Sequence, residues 1–200
     1  MSIGAMVGTV PVELPSPAFI GGLIDDVPDP VALYDASVST SDETTSWTDD
    51  LRRRLDELLD EYRQALRGSL DGLSEEEVRL HLLPSKTTLL GLVKHVTYVE
   101  GVWFDQALTG RSYADIGVAT TPDRSFILTK ADTVASISAA YEVRAEASRQ
   151  AAAHLHLSTV VDGRGERPVW ALYLQVLREL AQHAGHADIL REQVLARREP

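Results

Sequence analysis

Four stretches of the chain repeat apolar residues with the period of an α-helix, and none alternates with the period of two that marks a half-buried strand. The first opens with Thr48 as N-cap, and Asp49 and Asp50 favour the positive end of the helix dipole. Leu51, Leu55, Leu58, Tyr62, Leu66 and Ser69 form its stripe, Leu59 and Leu70 widen it, and Gly72 stops it. Ser74 and Glu77 then have the spacing of a capping box for a short helical piece that ends at Pro84. The second stretch, from Thr87 to Leu108 before Gly110, turns Leu89, Leu92, Val96, Val99, Trp103 and Ala107 inward, with Val93 and Phe104 beside them. The third starts at Asp132 as cap and uses Val134, Ile137, Tyr141, Ala145, Ser148 and Ala152. The fourth has Pro168 in its first turn and runs to Ala196. Residues 111–131 and the Asp162-Gly-Arg-Gly-Glu-Arg segment read as irregular connections. Four helices of about 20 residues without a strand predict an all-α fold, a four-helix bundle.

The part before the first helix has a different character. Residues 1–50 contain nine acids and no Lys, Arg or His, so they carry most of the formal charge of −11. They also hold five of the nine prolines. Two domains follow from this: an acidic, Pro-rich N-terminal extension, 1–47, and a nearly neutral bundle, 48–200. The extension is not uniformly polar, because apolar residues cluster in 19–24 and 31–34. These are expected to pack partly over the bundle or a second subunit.

Several function classes are excluded. With no Cys there is no disulfide, thiolate ligand or cysteine nucleophile. No signal peptide, spanning segment or basic patch is legible, so neither a membrane nor a nucleic acid is expected as partner, and the location expected is cytoplasmic. No Gly-rich phosphate loop, His-Glu-x-x-His motif or nucleophilic serine elbow is present.

One helix face breaks the apolar rule. Along the fourth helix Leu172, Val176, Glu179, His183, His186 and Leu190 follow 4-3-4-3-4 spacing, with ionisable groups in the middle. Ionisable groups in a buried seam need pairing or a metal. Glu179 and His183, four apart, stack on one side of the helix and are placed to grip one ion. His95, on the apolar side of the second helix, is the candidate third ligand, because bundles build metal sites from facing helices. Three N and O ligands leave open positions, the pattern of a catalytic site. A salt-bridged or solvent-facing groove is the competing reading. His186 is read first as a group that orients the site, with a further ligand or a surface residue as the alternatives. His81, His154 and His156 read as structural or surface residues, and Trp103, Trp170 and Tyr173 as core before cavity lining. Arg178, Arg191 and Glu192 flank the seam and read as a solvated helix face.

Three stretches carry a resemblance: Leu73-Ser-Glu-Glu-Glu, Ser85-Lys-Thr-Thr-Leu-Leu-Gly-Leu-Val-Lys-His95, and Glu179-Leu-Ala-Gln-His183-Ala-Gly-His186-Ala-Asp-Ile-Leu-Arg-Glu192. They resemble the actinobacterial mini-circle-protein family of unknown function. That family belongs to the DinB-like superfamily, with bacillithiol transferases and the mycothiol-dependent maleylpyruvate isomerase. The resemblance covers 48–197 and leaves the extension unmatched. It implies a DinB-like four-helix bundle, often a homodimer, with a divalent metal between helices: Zn2+, or alternatively Ni2+ or Fe2+. The superfamily pattern of one His on the second helix and His-x-x-x-His on the last places the ligands at His95, Glu179 and His183. Glu179 resembles the Glu-containing variant of the isomerase, and His186 is additional. The isomerase's other domain is missing, so isomerase activity is not implied. The resemblance implies transfer of a low-molecular-weight thiol, of the mycothiol kind, to a small electrophile. A metal-hydroxide hydrolase and a non-catalytic, stress-associated metal-binding module are the alternatives.

Overall fold

The structure, a computed structural model, describes residues 47–198. The packing expected of 19–24 and 31–34 lies outside the described residues. Four long helices dominate: α1 (Trp47–Gly68), α2 (Leu89–Gly101), α3 (Val134–Ala153) and α4 (Val169–Leu195). α1 packs on α4, and α2 packs on both α3 and α4. The all-α bundle expected from the periodicity is what forms. No described helix is long and apolar enough to cross a membrane.

Each helix buries one face. Leu55, Leu59, Leu66 and Leu70 of α1 and its following turn meet Leu172, Val176, Leu180 and Ala187 of α4 in one core. Each fully buried leucine contributes about 1.5–3 kcal/mol relative to an exposed one. The stripe of α1 is rotated from the expected one: Leu51 is half exposed, and Leu59 is buried while Leu58 is only partly so. α1 is already helical at Trp47, so Thr48 stands inside the first turn and not before it.

The helix ends show which expectations hold. Ser74 and Glu77 form the expected capping box: the Glu77 amide donates to Ser74 Oγ and the Ser74 amide to Glu77 Oε2. α2 is capped by Thr88, whose Oγ1 accepts from the Gly91 amide at 3.0 Å. Its helical run extends through a π-helical turn (Val102–Gln106) and a last α turn (Ala107–Thr109), and ends at Gly110 with φ of 71°. α3 is capped by Thr133 and not by Asp132: Thr133 and Ser136 form a reciprocal capping box. Asp132 instead accepts from Lys94 Nζ and the Thr129 amide. Of the inward residues expected of α3, Ile137, Tyr141, Ala145, Ser148 and Ala152 are buried and Val134, in the first turn, is partly so.

The connections are more ordered than their composition suggests. Residues 111–131 contain a helical turn (Pro122–Ser125) capped by Thr121. The turn-rich segment before α4 is a small antiparallel hairpin, β1 (Val160–Val161) with β2 (Arg167–Pro168), where no strand was expected. Two residues per strand are too few to show alternation, so the pattern is illegible in sequence. Pro168 takes the N-cap position of α4 and not its first turn. The hairpin tip touches the end of the α2 run: the Gly163 amide donates to Ala107 O at 3.2 Å, and a Cβ on Gly163 would lie 2.2 Å from Gln106 O. Only glycine permits that approach.

Candidate metal centre

The face-to-face packing of α2 and α4 brings His95, Glu179 and His183 together. One ligand atom from each lies within 4.8 Å of the others. The imidazoles meet edge to face, with ring centroids 4.8 Å apart. His95 is 5% exposed and His183 9% exposed, whereas the Glu179 side chain retains 22% of its surface at the edge of the seam. The cluster therefore sits just below the surface, covered on the α2 side and reachable on the Glu179 side.

Each side chain is held by identifiable contacts. The His95 ring stacks on Phe126, centroids 3.9 Å apart and planes at 13°, and its Nδ1 lies 2.7 Å from Ser125 Oγ. Glu179 Oε1 accepts from Gln175 Nε2 at 2.8 Å and from Arg178 Nη2 at 2.9 Å. Its Oε2 faces His183 Nε2 at 3.7 Å, too long for a hydrogen bond. His183 Nδ1 is buried with no hydrogen-bond partner among the described residues. Leaving a buried donor or acceptor unpaired costs about 1–3 kcal/mol. Two borderline nitrogen donors and one oxygen, with one buried imidazole nitrogen unpartnered, fit a divalent cation.

His186 is not part of this group. It is exposed, with its ring centroid 5.6 Å from that of His183. The expected inward seam through Glu179 and His186 is corrected accordingly: the buried line of α4 is Val176, Leu180, His183, Ala187 and Leu190. Both lines have 3- and 4-residue spacing and share Val176, His183 and Leu190, so spacing alone does not choose between them; the rotation of α4 against its neighbours puts Leu180 and Ala187 inward in place of Glu179 and His186. His81, His154 and His156 are exposed, as read from sequence. Trp170 is about half exposed and Tyr173 belongs to the core. Arg191 donates to Ser69 O and ties α4 to the end of α1.

Sequence reasoning missed Ser125, Phe126 and Gln175. Gln175 was findable, standing four residues before Glu179. Ser125 and Phe126 carry no local signal, because they reach His95 from a connection about 30 residues away in the chain. A cleft of about 380 Å³ shares Ser125 with the cluster, but it lies toward Ser136, Ile137 and Ala140 of α3, away from Glu179 and His183.

Both imidazoles are held neutral. Burial, helped by neighbouring His183, pushes the His95 pKa down to about 3. Burial also lowers that of His183, with Glu179 acting in the opposite direction and His186 in the same one. Neutral imidazole is the form that binds metal. A depressed pKa also links the site to stability. In the metal-free protein the contribution of His95 is complete above pH 6.5 and is lost as the pH falls from 6.5 toward 3, because only the unfolded chain takes up the proton there. Thermal unfolding across this window is expected to show a steeper loss for the wild type than for His95→Gln; equal slopes would contradict it.

A family model described as mycothiol-S-transferase matches residues 54–196, spanning His95, Glu179 and His183. No curated protein matches the chain. The match agrees with the DinB-like expectation raised by the three sequence stretches. By this match, and with the helical bundle that carries it, the chain belongs to the mycothiol-S-transferase family of DinB-like proteins.

Proposed function

We propose that the chain is a divalent-metal-dependent enzyme that binds a low-molecular-weight thiol, mycothiol or a close chemical relative, and transfers it to a small electrophile. The observation that carries this reading is the convergence of His95, Glu179 and His183 in a member of this family. These three residues hold the ion, and Zn2+ suits their donor set, as do Ni2+ and Fe2+. When bound, the ion supplies positive charge that lowers the pKa of a thiol beside it.

The residues of the chain supply the rest. His95 and His183 are neutral and Glu179 contributes one negative charge, so the three together offset half of a divalent cation. A thiolate arriving there brings the local sum to zero, so the site favours one anionic sulfur. Gln175 and Arg178 hold Glu179 Oε1 and leave Oε2 turned to the cluster. The chain has no cysteine, so the sulfur nucleophile is the cosubstrate's own. In the transfer a carbon–sulfur bond forms and the bond to the leaving group breaks. The leaving group takes that electron pair, and the thiol proton passes to solvent.

A cobalt-substituted sample titrated with mycothiol tests the reading. A saturable, thiol-dependent change in the visible spectrum is expected. No change at millimolar mycothiol, with turnover of an ester or amide in thiol-free buffer, would overturn it in favour of hydrolysis.

A further inference from the structure

The contact between His95 and Ser125 contains a constraint on the proton of His95. Ser125 is buried, at 2% exposure, and its hydroxyl has two neighbours. One is Pro122 O at 2.5 Å and the other is His95 Nδ1 at 2.7 Å. A serine hydroxyl has one hydrogen to donate. A peptide carbonyl can only accept, so the Ser125 hydrogen goes to Pro122 O. His95 Nδ1 must then be the donor, with its hydrogen pointing at the free lone pair of Ser125 Oγ. The opposite assignment sets the oxygen lone pairs of Ser125 and Pro122 against each other at 2.5 Å. A neutral imidazole protonated at Nδ1 carries its only lone pair on Nε2.

We infer that Ser125 is the positioning residue of the centre: it fixes the His95 tautomer so that Nε2 is presented unprotonated to Glu179 and His183. The inference rests on the metal-site reading above. It assigns work to the connection between α2 and α3, which is capped locally before Ser125 and fastened to α2 after it. Before it, Thr121 caps the turn that carries Ser125. After it, Lys94 Nζ donates to Ile127 O at 2.9 Å and to Asp132 Oδ2 at 2.8 Å. Gly91 allows the close approach, since a Cβ there would lie 2.9 Å from Phe126 O. Phe126, next in the chain, stacks on the imidazole and sets its plane. The hydroxyl and the ring thus fix the two things a ligating histidine must have fixed, its proton and its orientation. Removing such an outer partner typically lowers metal affinity about 10–100-fold.

The experiment has two independent arms. Long-range 1H–15N correlation of the metal-free wild type reads the tautomer of His95 directly. Nδ1–H with an unprotonated Nε2 is expected; Nε2–H would overturn the proposal without any variant being made. Competition with a chromophoric chelator reads Zn2+ affinity. Ser125→Ala is expected to weaken Zn2+ about 10–100-fold and to let the tautomer mix. Ser125→Thr keeps the hydroxyl and is expected to stay near the wild type in both readouts. Equal affinity and an unchanged tautomer in Ser125→Ala would show that the hydroxyl serves only its local turn, and would overturn the proposal. If Ser125→Ala fails to fold, the wild-type tautomer still decides. A wild type that binds no Zn2+ defeats the metal reading itself, which is a separate result from either tautomer.

Discussion

Replacing Glu100 with alanine is expected to destabilise the bundle by about 3–5 kcal/mol, the largest effect of any single substitution proposed for this chain. Glu100 is fully buried in α2 and Arg63 of α1 is 5% exposed. They form a two-pronged pair: Arg63 Nε donates to Oε1 at 2.9 Å and Nη2 to Oε2 at 2.8 Å. Arg63 Nη1 is completed by Asp60 at 2.8 Å. Burial works against the guanidinium charge, but the hydrogen bonds and charge of Glu100 outweigh it and raise the Arg63 pKa above its ordinary value. Removing the carboxylate leaves that cation buried without its main partner. Burial and the charge of Glu100 together also raise the Tyr141 hydroxyl pKa, so a third helix shares this polar centre. Urea unfolding of Glu100→Ala, Arg63→Met and the double variant checks the argument. The expected pattern is a large loss for Glu100→Ala and substantial recovery when Arg63 is also replaced. A loss below about 1 kcal/mol for Glu100→Ala would place the pair with ordinary surface ion pairs.

The second large effect concerns metal content. Glu179→Ala and His183→Ala are each expected to hold well under a tenth of the metal that the wild type holds, because loss of a ligand exceeds the 10–100-fold cost of losing its outer partner. His186→Ala is expected to keep its metal, since His186 stands outside the convergent group and is exposed. His156→Ala, exposed and outside that group, is the control for handling. Elemental mass spectrometry on purified protein gives the answer. Stoichiometric metal in both Glu179→Ala and His183→Ala would remove the centre from α4. Loss of metal in His186→Ala would make it a ligand after all.

How much of this was legible beforehand depends on whether a feature is local. The pairing of Glu179 with His183 was legible because four residues along a helix always bring side chains to one side. The Ser74–Glu77 capping box was legible because a Ser and a Glu three residues apart at a helix start can each accept from the other's backbone amide. The choice between Leu58 and Leu59, and the outward turn of His186, were not. Both depend on how α1 and α4 are rotated against their neighbours, and adjacent polar or apolar residues satisfy the same spacing. The π-helical turn after Gly101 and the hairpin before α4 left no pattern either, because each is shorter than the window a periodicity needs.

The amino-acid sequence by itself determined the helices, the period of their apolar residues and the residue types of the centre. Those follow from backbone hydrogen bonds between residues four apart, whose geometry is the same wherever a helix forms. Only the tertiary structure decided that Ser125 meets His95 and that Glu100 meets Arg63. These partners are 30 and 37 residues apart. Nothing in a local window relates them. Their meeting is set by the rotation and depth at which packed helices and the connection between them come to rest.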